Sequence, residues 1–89
     1  MRAKKGFALR TIAGEKILVA AGKENIDYGN IISMNESAAY LWEAIQGKDF
    51  DAEDLAKLLT DVYDVDEAVA LKDSLSIIQS WKETDIIEG

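Results

Sequence analysis

The side chains in this sequence that are equipped for chemistry are carboxylates. Its 89 residues include 17 Asp and Glu against 10 Lys and Arg, a net charge of −7, with no His and no Cys. Without imidazole or thiol, no Ser–His or Cys–His pair can form, and the usual zinc ligand sets are missing. Carboxylates serve as general acids or magnesium ligands elsewhere, yet here they are spread as on any acidic surface. Asp64 and Asp66 are separated by one residue, but no calcium-loop spacing follows them. They read as a turn and a helix cap. The expectation is a domain that is not an enzyme and needs no cofactor of its own.

Charge is unevenly placed along the chain. Residues 1–23 hold six cations, Arg2, Lys4, Lys5, Arg10, Lys16 and Lys23, against Glu15 alone, a net +5; residues 24–89 carry −12. An acidic body repels nucleic acid phosphate over most of its surface. The longest apolar run near the start, Ile17 to Ala21, is shorter than the roughly 7–15 residues of a signal core and far below the about 20 of a membrane span. A cytoplasmic protein with no membrane partner is expected. The length suits one domain over residues 1–89.

The elements that must position any site follow from periodicity. The runs Phe7–Ile12 and Glu15–Ala20 flank Ala13-Gly14, a two-residue link that predicts a tight hairpin. Phe7, Leu9 and Thr11 share one face, and Ile17 and Val19 share another. Residues 22–30 are polar, with Tyr28-Gly-Asn30 the strongest turn signal, and Ile31–Met34 follow as a short third strand. Near residue 35 the period changes from two to 3.6. Asn35 caps a first helix from Glu36 to Gln46, which Gly47 stops in left-handed conformation. Asp51 caps a second from Ala52 to about Tyr63, and Asp66 a third from Glu67 to about Lys82. Ile86-Ile87 ends the chain as a short extended piece. Strands first and helices after make an α+β plan.

The third helix has too much apolar surface for one stripe. At about 100° per residue, Leu71 lies between Leu75 on one side and Ile78 on the other. Beyond Ile78 come Ser74, Trp81, Ala70 and Ile77, in that order around the helix, so the arc spans about 160°. Leu71, Leu75 and Ile78 suffice to dock the helix. Small Ala70 and Ser74 between larger Ile77 and Trp81 then form a second stripe and a shallow groove. A central helix buried on two sides explains the same arc without any groove. Trp42, beside Leu41 and Ile45, reads as core.

Three features in order carry a family resemblance: Ile31-Ile-Ser-Met-Asn35 running into a helix with Leu41-Trp42, an aliphatic second helix ending in Tyr63-Asp-Val65, and a long helix ending in Ile86-Ile87. Together with the hairpin they resemble the PqqD family, small peptide-binding domains also called RiPP recognition elements. The resemblance implies a winged-helix-like fold, a three-stranded antiparallel sheet followed by three helices. It also implies binding of the leader segment of a ribosomally made precursor peptide, which joins the third strand and packs against the third helix. The partners implied are that peptide and a modifying enzyme, a radical SAM protein in pyrroloquinoline quinone synthesis. Carried over, the docking strand is Ile31, Ile32, Ser33 and Met34. The opposing wall expected from the helical angles is Ala70, Ser74, Ile77 and Trp81, flanked by Lys72 and Asp73 to read leader charge.

Two other functions are open to such a sequence. A winged helix often reads DNA, but the third helix offers only Lys72 and Lys82 against Glu67 and Asp73, too few cations for phosphate contacts. An exposed strand can also pair with a second copy, giving a homodimer through that edge.

Overall fold

The computed structural model describes residues 1–21 and 26–89. The chain forms strands β1 (Arg2–Ala3), β2 (Phe7–Ile12), β3 (Glu15–Ala21) and β4 (Ile26–Met34), then helices α1 (Glu36–Ala44), α2 (Ala52–Val62) and α3 (Glu67–Glu83), and strand β5 (Ile87–Glu88). The expected α+β order holds: an antiparallel three-stranded sheet of order β2-β3-β4, followed by three helices. A separate two-stranded ribbon joins β1 to β5.

The hairpin turns where expected. Ala13 and Gly14 both have positive φ, 53° and 81°, as a two-residue turn matched to the strand twist requires. Phe7, Leu9 and Thr11 lie opposite Ala20, Leu18 and Lys16 on one face, while Ile17 and Val19 belong to the other.

β4 is longer than the four residues expected. It starts at Ile26, so the turn read at Tyr28–Asn30 is not a chain reversal. The signal nevertheless marks an irregularity: between the pairs Ala20↔Asp27 and Leu18↔Ile32, Val19 alone stands against residues 28–31 of β4. Such a bulge bends and twists the strand. The rest of the expected turn, residues 22–25, lies outside the described residues.

The helices begin at their expected caps with one exception. Asn35 accepts from the Ala38 N–H at 2.8 Å. Asp51 and Asp54 form a reciprocal capping box, each side chain accepting from the other's backbone N–H at 2.9 and 3.0 Å. Asp66 occupies the N-cap position of α3 but its side chain makes no capping bond. Gly47, with φ of 72°, follows α1 as the left-handed residue.

The core lies between the sheet and the helices. Trp81 is its hub, its ring edge-on to Trp42 at 5.3 Å and to Phe50 at 6.1 Å between centroids. Leu18, Leu41, Leu55 and Ile86 are fully buried around them. The chain leaves α3 through a Schellman motif: Asp85 is left-handed (φ 60°), its N–H bonds the Lys82 carbonyl, and the Ile86 N–H bonds that of Trp81. This reversal brings Ile86 and Ile87 back under the core and lays β5 on β1. Among the described residues, no helix is long and apolar enough to cross a membrane.

Candidate functional site: the β4 edge and its cleft

Which backbone groups of β4 are free follows from the hairpin register. In a two-residue hairpin the residues flanking the turn, here Ile12 and Glu15, exchange both backbone hydrogen bonds, and along an antiparallel strand successive residues direct N–H and C=O to alternate sides. Glu15 and Ile17 therefore serve β2, while Lys16 and Leu18 serve β4. Their partners Met34 and Ile32 turn their backbone groups inward. Ser33, between them, directs its N–H and C=O away from the sheet, and β4 is an edge strand.

Side chains alternate from Ile32 to Met34. Met34 is buried, Ile32 is half-buried against the core, and Ser33 is exposed. Ile31 contributes backbone to β4, and its side chain lies outside the described residues.

Beside the end of β4 a cleft of about 430 Å³ opens between α1, α2 and α3. Asn35 and Ser37 line it from the strand end and the first turn of α1. Leu59, Tyr63 and Val65 come from the end of α2 and the loop after it, and Asp73, Ser76 and Ile77 from α3. Tyr63 is held by an edge-on contact with Tyr40 at 6.4 Å. Among the described residues, neither β4 nor β2 itself contributes to the lining; Asn35, directly after Met34, connects the β4 end to the cleft.

The expected roles of the two stripes of α3 are exchanged in part. Leu71 and Leu75, expected to dock the helix, are 38% and 55% exposed; Ile78 alone of that set is buried. The helix docks instead through Ala70 and Ser74, both fully buried, with Ile78 and Trp81. The reason is size: small residues at 70 and 74 let α3 approach its neighbours closely, and Trp81 fills the space between Trp42 and Phe50. The Ser74 hydroxyl is satisfied by donating to the Ala70 carbonyl at 2.7 Å. Ala70, Ser74 and Trp81 thus lie beneath the surface and support the cleft without offering it a face. Of the expected wall and flanking residues, Ile77 and Asp73 line the cleft. Lys72 is exposed and does not.

Five cleft residues were not expected as a site: Ser37, Leu59, Tyr63, Val65 and Ser76. Tyr63 and Val65 stand inside the Tyr-Asp-Val motif, which carried the family resemblance and so held the signal. Asn35 was read as a cap alone; it both caps α1 and lines the cleft.

Residues 15–87 match the family model described as coenzyme PQQ synthesis protein D (PqqD). The chain belongs to the PqqD family. No curated protein sequence matches it. Two solved structures share its fold. The first is TbiB1 in complex with the TbiA(beta) leader peptide, at TM-score 0.73 and 13% identity over 100% of this chain and 96% of that one. The second is lasso peptide synthetase B1 complexed with the leader peptide, at TM-score 0.65 and 20% identity over 92% and 89%. The family is the one the resemblance implied, and the two structures agree with the fold it implied. The cations at the start of the chain are partly engaged within the molecule, Arg2 by Asp49 at 3.1 Å and Lys4 by Asp85.

Proposed function

We infer that this PqqD-family chain is a non-catalytic leader-binding domain, which takes up the leader of a ribosomally made precursor peptide by strand addition and presents it to a separate modifying enzyme. The observation that carries this reading is the pairing of an open edge with a lined cleft. The outward N–H and C=O of Ser33 offer main-chain hydrogen bonds to any extended segment, whatever its sequence. Selectivity then falls to side chains entering the cleft beside Tyr63, Val65, Asp73 and Ile77. Ile31, Ile32 and Met34 complete the docking strand, Ile32 and Met34 through their inward bonds to β3. Ala70, Ser74 and Trp81 act from below by fixing α3. The enzyme served is a peptide maturase, of the radical SAM type if the product is a quinone cofactor, and the setting is the cytoplasm, where such precursors are made.

The same edge can pair with a second copy of the chain, and the two uses exclude each other. Leader peptide should therefore dissolve any dimer seen by gel filtration.

Two proline variants test strand addition with a 12-residue peptide selected on the wild-type chain from a displayed random library. Proline removes a backbone donor. At Ser33 the lost N–H faces outward, a position that an edge strand tolerates, so Ser33→Pro should keep its melting temperature and lose at least about tenfold in peptide affinity, roughly one hydrogen bond. At Ile32 the lost N–H belongs to the β3–β4 ladder, so Ile32→Pro should lower the melting temperature. Unchanged affinity in a folded Ser33→Pro protein would overturn the reading.

A further inference from the structure

The chemistry of the cleft states what kind of leader it takes. Its floor is apolar, formed by Leu59, Tyr63, Val65 and Ile77, and among the described residues Asp73 is the only charged one in its lining. Asp64 and Asp66, on either side of Val65, are exposed neighbours in sequence that add negative charge, while Glu36 shares an adjoining hollow with Glu15 and Lys16, which leaves that side net negative by one. Among the described residues, no Lys or Arg lines the cleft. Lys72 is the nearest cation along α3, and it lies about 100° around the helix from Asp73.

We propose, building on the leader-binding reading above, that this cleft selects a leader segment carrying an aliphatic or aromatic anchor beside a lysine or arginine. The anchor fills the space over Tyr63 and Ile77, and the cation lies against Asp73. An acidic segment entering there meets several like charges and no cation in the lining. A basic one meets the complementary field, which favours both encounter and register. Each contact is solvent-exposed and therefore individually weak. The preference comes from their sum, and it fades with salt as the Debye length falls from about 10 Å at 0.1 M to about 3 Å at 1 M.

The test selects a displayed library of random 12-residue peptides on the wild-type chain and on Asp73→Lys. Asp73 is exposed, so the substitution leaves the core untouched. Wild-type binders should share an apolar anchor with Lys or Arg at a fixed offset. Changing that cation to Glu should cost about tenfold in affinity at low salt and much less at 1 M. Asp73→Lys should keep the anchor and select Asp or Glu at the same offset. Binders that need Ser33's N–H, losing affinity on Ser33→Pro, but show no charge preference or the same one in both proteins, would overturn this inference and leave strand addition standing. Binders indifferent to Ser33→Pro, or no binders at all, would overturn strand addition itself and this inference with it.

Discussion

The molecule has two strand systems at its margins, and they are finished in opposite ways. At one, β5 lies on β1, the Phe50 carbonyl accepts from the amino terminus at 3.0 Å, and the Phe50 N–H bonds the Met1 carbonyl at 2.7 Å. That ribbon is tied into the chain at both ends. At the other, β4 stands as the outer strand of its sheet, with Ser33 turned outward beside a cleft. The Schellman turn at Asp85 directs the residues after α3 to β1. The difference separates two tasks: the closed ribbon and the aromatic hub hold the fold, and the open edge is where we propose the guest docks.

The largest effect should come from the hub. Trp81→Ala removes the ring that touches both Trp42 and Phe50, and should cost about 3–5 kcal/mol by urea unfolding. A chain of this length is expected to have about 4–13 kcal/mol in total, at roughly 0.05–0.15 kcal/mol per residue, so the variant should lose a large share of its stability. A Trp81→Ala protein as stable as the wild type would break the division of labour, because the core would then not depend on its hub.

Ile77→Asp strikes the cleft instead. The lost apolar wall should lower leader affinity by roughly ten- to a hundredfold, the equivalent of one buried aliphatic side chain. Calorimetric titration beside a thermal melt distinguishes this from unfolding. Undiminished affinity in the folded variant would place the guest elsewhere.

The two arcs of α3 give the next pair. Ala70→Leu forces extra volume into a fully buried contact and should cost about 1–3 kcal/mol. Leu75→Lys should change stability by no more than about 0.5 kcal/mol, because Leu75 is more than half exposed. The reverse order would restore the expectation that Leu71 and Leu75 dock the helix.

That expectation shows where reading a sequence stops. Local chemistry was legible: the Ala13-Gly14 turn, the Asn35 and Asp51 caps, Gly47, and the lengths of the helices are all decided by neighbours a few residues apart. The docking face of α3 was not. Hydropathy favours leucines over Ala70 and Ser74, but close approach and the shape of the Trp42–Trp81–Phe50 cluster decided the matter. Those three rings come from α1, α3 and the loop before α2, so no local pattern announces that they meet. The strand edge was legible from family pattern, while the outward role of Ser33 emerges only from register. β1 was not foreseen, since two residues carry no periodicity and their partner strand lies at the far end of the chain.

The smallest effect tests what holds β5 on β1. Asp85 takes a left-handed conformation that glycine adopts with less strain, and its carboxylate also pairs with Lys4. These contributions oppose each other, and two substitutions separate them. Asp85→Asn keeps a residue tolerant of that conformation and removes the charge, so it should cost no more than about 0.5 kcal/mol, and less at high salt, as for other exposed pairs. Asp85→Gly also removes the pair but relieves the backbone, and should come out level or more stable by about 0.5 kcal/mol. If Asp85→Gly were instead clearly destabilised by thermal melting, the side chain rather than the Schellman geometry would be holding β5 on β1.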